Sequence, residues 1–135
     1  MTNHNPVTGA PRQLLRIEGL AMLIAGMVAY STLGGSWVWF AVLFLVPDLS
    51  MLGYLANPRT GAWTYNAAHA LIGPAILAPF APTLAAIWLA HVGFDRALGY
   101  GLKYSSAFTA THLGIIGRRR VPTTASSPLA VNVPA

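Results

Sequence analysis

The chain has 135 residues, of which 55% are hydrophobic and 8% are charged, and its mean hydropathy is +0.56. Soluble domains carry about 25% charged residues, so this composition argues against a soluble domain and favours several apolar membrane spans. The length suits one domain, and the lack of cysteine excludes disulfides and thiolate metal ligands. The net charge of +5 would suit nucleic-acid binding, but the positions of the basic residues point elsewhere.

Four apolar segments follow a polar stretch at residues 1–12, which we expect to be flexible. They predict an all-α protein, a bundle of four transmembrane helices within residues 13–120. The predicted spans are residues 14–33, 36–56, 63–80 and 83–100. The glycine pair 34–35, a loop at 57–61 and the Ala-Pro pair 81–82 separate them. Residues 121–135 lack the apolar periodicity needed to pack, and we expect a disordered tail there.

All eight basic residues fall on one side of this topology. The residues concerned are Arg12, Arg16, Arg59, Arg96, Lys103 and Arg118–Arg120. The positive-inside rule makes that side cytoplasmic and predicts a multi-pass membrane protein with both termini inside. The lipid bilayer is therefore the expected partner. A nucleic-acid patch at Arg118–Arg120 is the rival interpretation, which we do not favour.

The chain contains only three carboxylates, and each of them interrupts an apolar segment: Glu18, Asp48 and Asp95. A charge inside hydrocarbon costs several kcal/mol, so such residues usually face a partner, a cavity or a reaction. His69 and His91 also lie in apolar segments. At a rise of about 1.5 Å per residue, all five fall in the cytoplasmic half of the predicted bundle. We therefore predict that they meet in one polar cluster.

Local spacing supports this cluster. His91 and Asp95 are four residues apart, so both project from one helical face. Pro47 removes a backbone donor beside Asp48 and should loosen the second helix there. Asn66 is expected to be an interhelical hydrogen-bond partner or a ligand. His112, beyond the fourth span, is either interfacial or a further ligand.

Three kinds of chemistry fit such a cluster, and the sequence leaves all three open. Asp48, His69, His91 and Asp95 offer the oxygen and nitrogen ligands that suit one divalent zinc, manganese or iron ion. Glu18 would then be a catalytic base or an additional ligand for water activation. The same groups can also relay protons. In the third interpretation they form a network that only fixes helix packing.

These residues lie in motifs that resemble the uncharacterised small bacterial membrane proteins of domain-of-unknown-function family four-two-six-zero. The motifs are Arg16-Ile17-Glu18-Gly19, residues 47–54 (PDLSMLGY), residues 65–69 (YNAAH), residues 88–104 (WLAHVGFDRALGYGLKY) and residues 111–114 (THLG). The resemblance covers about residues 13–120 and implies no particular activity.

A weaker similarity reaches the LexA-regulated, membrane-bound, metal-dependent hydrolases. Asp48, His91 and Asp95 match their Pro-Asp and His-x-x-x-Asp elements. Those proteins have a second Asp and a His where this chain has Ser50 and Met51, which favours a single metal or none here. The resemblance implies a phosphoester substrate such as a lipid headgroup.

The functional prediction is thus a metal-dependent hydrolase of a lipid-like or phosphoester substrate. Lys103 or Arg96 would attract the anionic headgroup. The alternative is a non-catalytic membrane protein, such as a small oligomer or a transporter-like subunit, whose polar network orders the helices.

Overall fold

Helices make up most of the computed structural model, which describes residues 7–106 and 108–116. In chain order they are α1 (Gly9–Thr32), α2 (Trp37–Phe44), a 3-10 helix (Val46–Leu55), α3 (Pro58–His69), α4 (Ile72–Leu77) and α5 (Pro82–Leu98). A short antiparallel hairpin of β1 (Ala110–Thr111) and β2 (Gly114–Ile115) follows. The predicted tail at residues 121–135, the arginines 118–120 and residues 1–6 of the predicted flexible segment lie outside the described residues.

The first two predicted spans correspond closely to helices. Helix α1 begins at Gly9, five residues before the start of the predicted span, and ends at Thr32. The predicted glycine turn follows, with Gly34 at φ 70°. The second span changes from α-helix to 3-10 helix at Val46, immediately before Pro47, as expected where proline removes a backbone donor.

The third predicted span is wrong as one continuous helix. The predicted loop at 57–61 is instead the start of α3, where the Asn57 side chain accepts a 2.8 Å hydrogen bond from the Thr60 backbone nitrogen. Asparagine at this position and proline directly after it are typical of a helix start. At the other end the chain breaks at Ala70, which is extended with ψ 147°, and α4 begins two residues later.

The chain after α5 departs from the all-α prediction. Gly99, in the left-handed region at φ 94°, ends α5, and its backbone nitrogen donates to the Arg96 carbonyl. Beyond it, residues Ala110–Thr111 pair with Gly114–Ile115, and the Lys103 backbone forms an isolated antiparallel β-bridge with Thr111. Glycine is favoured at such turns because other residues meet a steric penalty in the left-handed backbone conformation. The bulk of the described chain is nevertheless helical, as predicted.

Helices α1 and α5 pack against each other through small residues. A Cβ added to Gly26 would lie 2.7 Å from the Ala86 carbonyl oxygen, and one added to Gly93 would lie 2.4 Å from the Leu23 nitrogen. The two backbones are therefore in direct contact. Large apolar side chains of α1 point the other way, for example Ile17 and Val28, which are 63% and 57% exposed. Small residues inside and large apolar residues outside are typical of helices packed in lipid.

Two helical stretches are long and apolar enough to cross a membrane. They are Gly9–Thr32 and Trp37–Leu55, with mean hydropathies of 1.5 and 1.8. The described residues also leave many large apolar side chains exposed, among them Trp63 and Phe80 at 73% and 82%. Extended exposed apolar surface marks a contact with a membrane or another protein. Together these features indicate membrane association.

Candidate metal centre

Four of the predicted site residues meet where three helices come together. Asp48 comes from the first turn of the 3-10 helix, His69 is the last residue of α3, and His91 and Asp95 lie one turn apart on α5. One ligand atom from each lies within 4.8 Å of all the others. The predicted convergence is therefore confirmed for these four residues.

The spacing of these atoms matches a tetrahedral coordination shell. The His69 Nε2 atom lies 3.0 Å from His91 Nε2, 3.6 Å from Asp48 Oδ1 and 3.4 Å from Asp95 Oδ2. The His91 Nε2 atom lies 3.5 and 4.0 Å from the same two oxygens. Four ligands at bond lengths of about 2.0–2.1 Å around tetrahedral zinc stand about 3.3–3.4 Å apart. Four of these five edges are thus close to the required length, and the His91–Asp95 edge is longer, at 4.0 Å.

The histidines direct the same ring atom into the cluster. His69 Nδ1 lies 2.8 Å from the Tyr65 carbonyl oxygen, so it carries a proton and leaves the Nε2 lone pair free. A second ring-nitrogen contact of this kind is usual for metal-bound histidine. His91 differs, since its Nδ1 is buried without a hydrogen-bond partner among the described residues. With both imidazoles neutral, this 3.0 Å approach has two solutions: His91 donates a proton from Nε2 to His69, or both Nε2 lone pairs bind a cation between them.

Charge also favours a cation in the cluster. His69 and His91 are 3% and 1% exposed, and the side chains of Asp95 and Asp48 are 13% and 32% exposed. The ligand oxygens of Asp48 and Asp95 lie within 4.8 Å of each other. Two carboxylates this close repel each other unless positive charge lies between them. With neutral histidines, one divalent ion would balance the two negative charges. Oxygen and nitrogen donors in equal number suit zinc, manganese or iron.

Tyr65 completes the cluster and was not recognised as part of it from the sequence. Its hydroxyl donates a 2.9 Å hydrogen bond to Asp95 Oδ2, and its ring stacks on His69 with centroids 3.7 Å apart. Tyr65 orients one candidate ligand by a hydrogen bond and another by contact. The available signal was its spacing, because Tyr65 and His69 are four residues apart on one face of α3.

A cavity of about 350 Å³ opens beside the cluster. Asp48, Asp95 and Tyr65 line it, together with Lys103. The Lys103 ammonium lies over the rings of Phe108, Tyr65 and Tyr54, at 3.3, 4.4 and 5.5 Å from their centroids. Such contacts between a cation and aromatic rings are attractive. The cavity wall thus contains two of the candidate metal ligands, Asp48 and Asp95, and also a cationic side chain, Lys103.

Lys103 is buried, with 5% of its surface exposed. Burial lowers its pKa to about 8, although the negative charges of Asp95 and Asp48 oppose the change. Asn66 fixes its backbone, because the amide accepts from the Lys103 nitrogen at 2.6 Å and donates to the Lys103 oxygen at 2.8 Å. Asn66 thus forms hydrogen bonds as predicted, but its partner is the Lys103 backbone, in the segment after α5, and not another helix.

Two predicted residues are not brought into the cluster. Glu18 has an exposed side chain on α1 and is absent from the four-residue group. Its role as base or ligand stays a prediction. His112 lies against Gly101, and its Nδ1 atom is 3.5 Å from the Leu102 carbonyl oxygen. It is not a member of the described cluster either.

The described chain is mostly helical, with two stretches long and apolar enough to cross a membrane, and it brings together two buried histidines and two partly buried aspartates that can hold a metal ion. The family model for the domain of unknown function DUF4260 matches residues 12–116, and the chain belongs to this family. No curated protein and no solved structure matches the chain. The comparisons thus give no support to the weaker similarity with LexA-regulated hydrolases.

Proposed function

We propose that the protein is a metal-dependent hydrolase that acts on a phosphoester, such as the headgroup of a lipid. The observation that carries the proposal is the near-tetrahedral set of Asp48, His69, His91 and Asp95 at the edge of an open cavity. A bound divalent ion supplies Lewis-acid chemistry, since it polarises a phosphoryl oxygen and lowers the pKa of water. Manganese, zinc and iron all fit the donor set.

The chain's own residues account for the rest of the proposal. Lys103 lies in the wall of the same cavity as Asp48 and Asp95, so its ammonium can bind the negative charge of a phosphoester. Tyr65 keeps the Asp95 carboxylate oriented through its hydrogen bond. Phe94, Met51 and Phe108 line the cavity with apolar surface, which suits the acyl or glycerol part of a lipid.

We further propose the complete topology of four spans in a bacterial inner membrane, with both termini cytoplasmic. Arg12, Arg16 and Arg96 support it, because all three lie at the α1 start or near the α5 end, on one side of the packed α1–α5 pair. The chain has no cysteine, so single cysteines can be introduced at Ser36, which is exposed in the turn between α1 and α2, and near residue 130, and labelled in intact cells. Labelling of both positions from the same compartment contradicts the topology.

Metal analysis of the detergent-purified protein tests the proposed centre. We expect about one equivalent of a divalent metal in the wild type and its loss in Asp48→Ala and His91→Ala. His112→Ala is the matched control, since this histidine lies outside the cluster, and it should keep the metal. Hydrolysis of bis(p-nitrophenyl) phosphate should then require the metal and fall in the same two variants. A metal-free wild type that cannot be loaded with zinc, manganese or iron contradicts the proposal.

A non-catalytic role is the second candidate, and one contact favours it. The 3.0 Å approach of His69 Nε2 to His91 Nε2 becomes a hydrogen bond between α3 and α5 once either ring is protonated there. With the bond from Tyr65 to Asp95, the polar groups can order the helices without a metal. This candidate predicts that chelators leave the thermal stability unchanged, whereas His91→Ala lowers it.

A further inference from the structure

A second cavity, with a different character, lies where the start of α1, the end of α5 and the hairpin meet. Its volume is about 230 Å³, and its walls include Arg12, Gly99, Tyr100 and Gly114. It shares Tyr100 and Ile116 with the cavity beside the metal cluster, but neither aspartate of the cluster lines it. We call it the basic pocket.

The Arg12 guanidinium lies against two glycines of this pocket. A Cβ placed on Gly114 would lie 3.4 Å from the Arg12 Cζ and Nη2 atoms, and one placed on Gly99 would lie 3.6 Å from Nη2. The guanidinium therefore lies directly over two glycines. Its Nε atom is buried, yet it has no hydrogen-bond partner among the described residues. A buried donor without an acceptor is destabilising, and more so when it is charged, so an acceptor from outside is expected.

Further positive charge converges on the same place. The Arg16 side chain reaches the end of α5, where its Nε donates a 2.8 Å hydrogen bond to the Ala97 carbonyl. A Cβ placed on Gly99, in the pocket wall, would also lie 4.0 Å from the Arg16 Nε atom. Like charges gathered in one place repel each other unless an anion lies among them.

No carboxylate compensates this charge in the part of the chain that the structure describes. All ion pairs found there lie within the candidate metal cluster, and none involves Arg12, Arg16 or Arg96. The planar guanidinium group presents several donors in a fork that matches the oxygens of a phosphate. Arg12 also lies in the first turn of a candidate membrane span, at the level where lipid headgroups are found.

We propose that the basic pocket binds a phosphate group, with Arg12 as its direct ligand and Arg16 beside it. The phosphate can belong to an anionic phospholipid or be free in solution, because both present the same oxygens. This site is separate from the proposed hydrolytic centre and does not depend on a bound metal.

Native mass spectrometry of the full chain in detergent tests this site, with phosphatidylglycerol and inorganic phosphate as separate probes. We expect Arg12→Ala to weaken binding about tenfold or more, and Arg12→Lys to weaken it less. Arg59→Ala is the matched control, because Arg59 is an exposed arginine at the start of α3 and is absent from the pocket walls. It removes the same charge and should leave binding within about twofold of the wild type.

The possible results distinguish a lipid phosphate from free phosphate, and they show when the proposal is wrong. Arg12-dependent binding of phosphatidylglycerol alone identifies a lipid headgroup, and Arg12-dependent binding of both probes identifies any phosphate group. An equal loss in Arg12→Ala and Arg59→Ala, or no binding of either probe by the wild type, overturns the proposal. Far-ultraviolet circular dichroism checks that each variant is folded. If Arg12→Ala does not fold, Arg12→Lys serves as the test variant.

Discussion

The Tyr65 hydroxyl offers a sharp test of the proposed metal centre, because one oxygen atom can be removed while the ring remains. Tyr65→Phe deletes the 2.9 Å hydrogen bond to Asp95 Oδ2. It keeps the ring that stacks on His69 and faces the Lys103 ammonium. The substitution should therefore alter the orientation of one candidate ligand and little else.

The expected size follows from the geometry. A hydrogen bond to a charged carboxylate contributes about 1.5–3 kcal/mol, and removing such an orienting partner typically weakens metal binding about 10–100-fold. A tenfold change corresponds to about 1.4 kcal/mol, so the two figures agree. We expect the dissociation constant for Zn²⁺ to rise by about 10–100-fold in Tyr65→Phe.

Competition with a zinc-chelating dye measures this constant on the detergent-purified protein. Tyr54→Phe is the matched control, since its buried hydroxyl has no hydrogen-bond partner among the described residues and its ring also faces Lys103. It should bind Zn²⁺ as tightly as the wild type. If Tyr65→Phe and Tyr54→Phe bind equally well, Tyr65 does not orient a ligand and the reasoning fails.

Three further predictions follow from other parts of the structure. Glu18→Gln should retain the metal content of the wild type, because Glu18 lies outside the four-residue group; loss of the metal on elemental analysis would place it in the centre after all. Gly93→Ala should lower the melting temperature by the equivalent of about 1–3 kcal/mol, since the added methyl would meet the Leu23 nitrogen at 2.4 Å, whereas the exposed Ile24→Ala should change it little. Lys103 should add stability as the pH rises from 8 toward 10.5, because in that range the unfolded lysine still binds a proton that the folded one has lost. Thermal scans at several pH values should show this rise in the wild type and a smaller rise in Lys103→Met.

The cluster could be predicted from the sequence because the relevant residues are scarce. Charges within apolar segments are costly, so Asp48 and Asp95 indicated a shared polar site before their partners in space were known. The spacing of His91 and Asp95 fixed one face of α5 in addition. These arguments depend on the composition and on helical geometry, neither of which requires knowledge of contacts between distant parts of the chain.

Other features depend on contacts distant in sequence and were not predicted. Residues 63–80 contain no Asp, Glu, Lys or Arg, so the composition did not reveal the extended Ala70 that ends α3. The local signal was Pro74, which lies in the first turn of α4, where proline is tolerated. The burial of Lys103 was also missed, since Tyr54, Tyr65 and Asn66 come to it from other parts of the chain.

The position of Lys103 has a practical consequence. It is the only lysine in the sequence, and Asn66 holds its backbone as a neighbouring β-strand would. A lysine-specific protease therefore has one peptide bond to cut, and that bond fits a protease active site only after the segment around Lys103 has separated from Asn66 of α3. The rate of this single cleavage would measure how often the segment opens, without any label added to the chain.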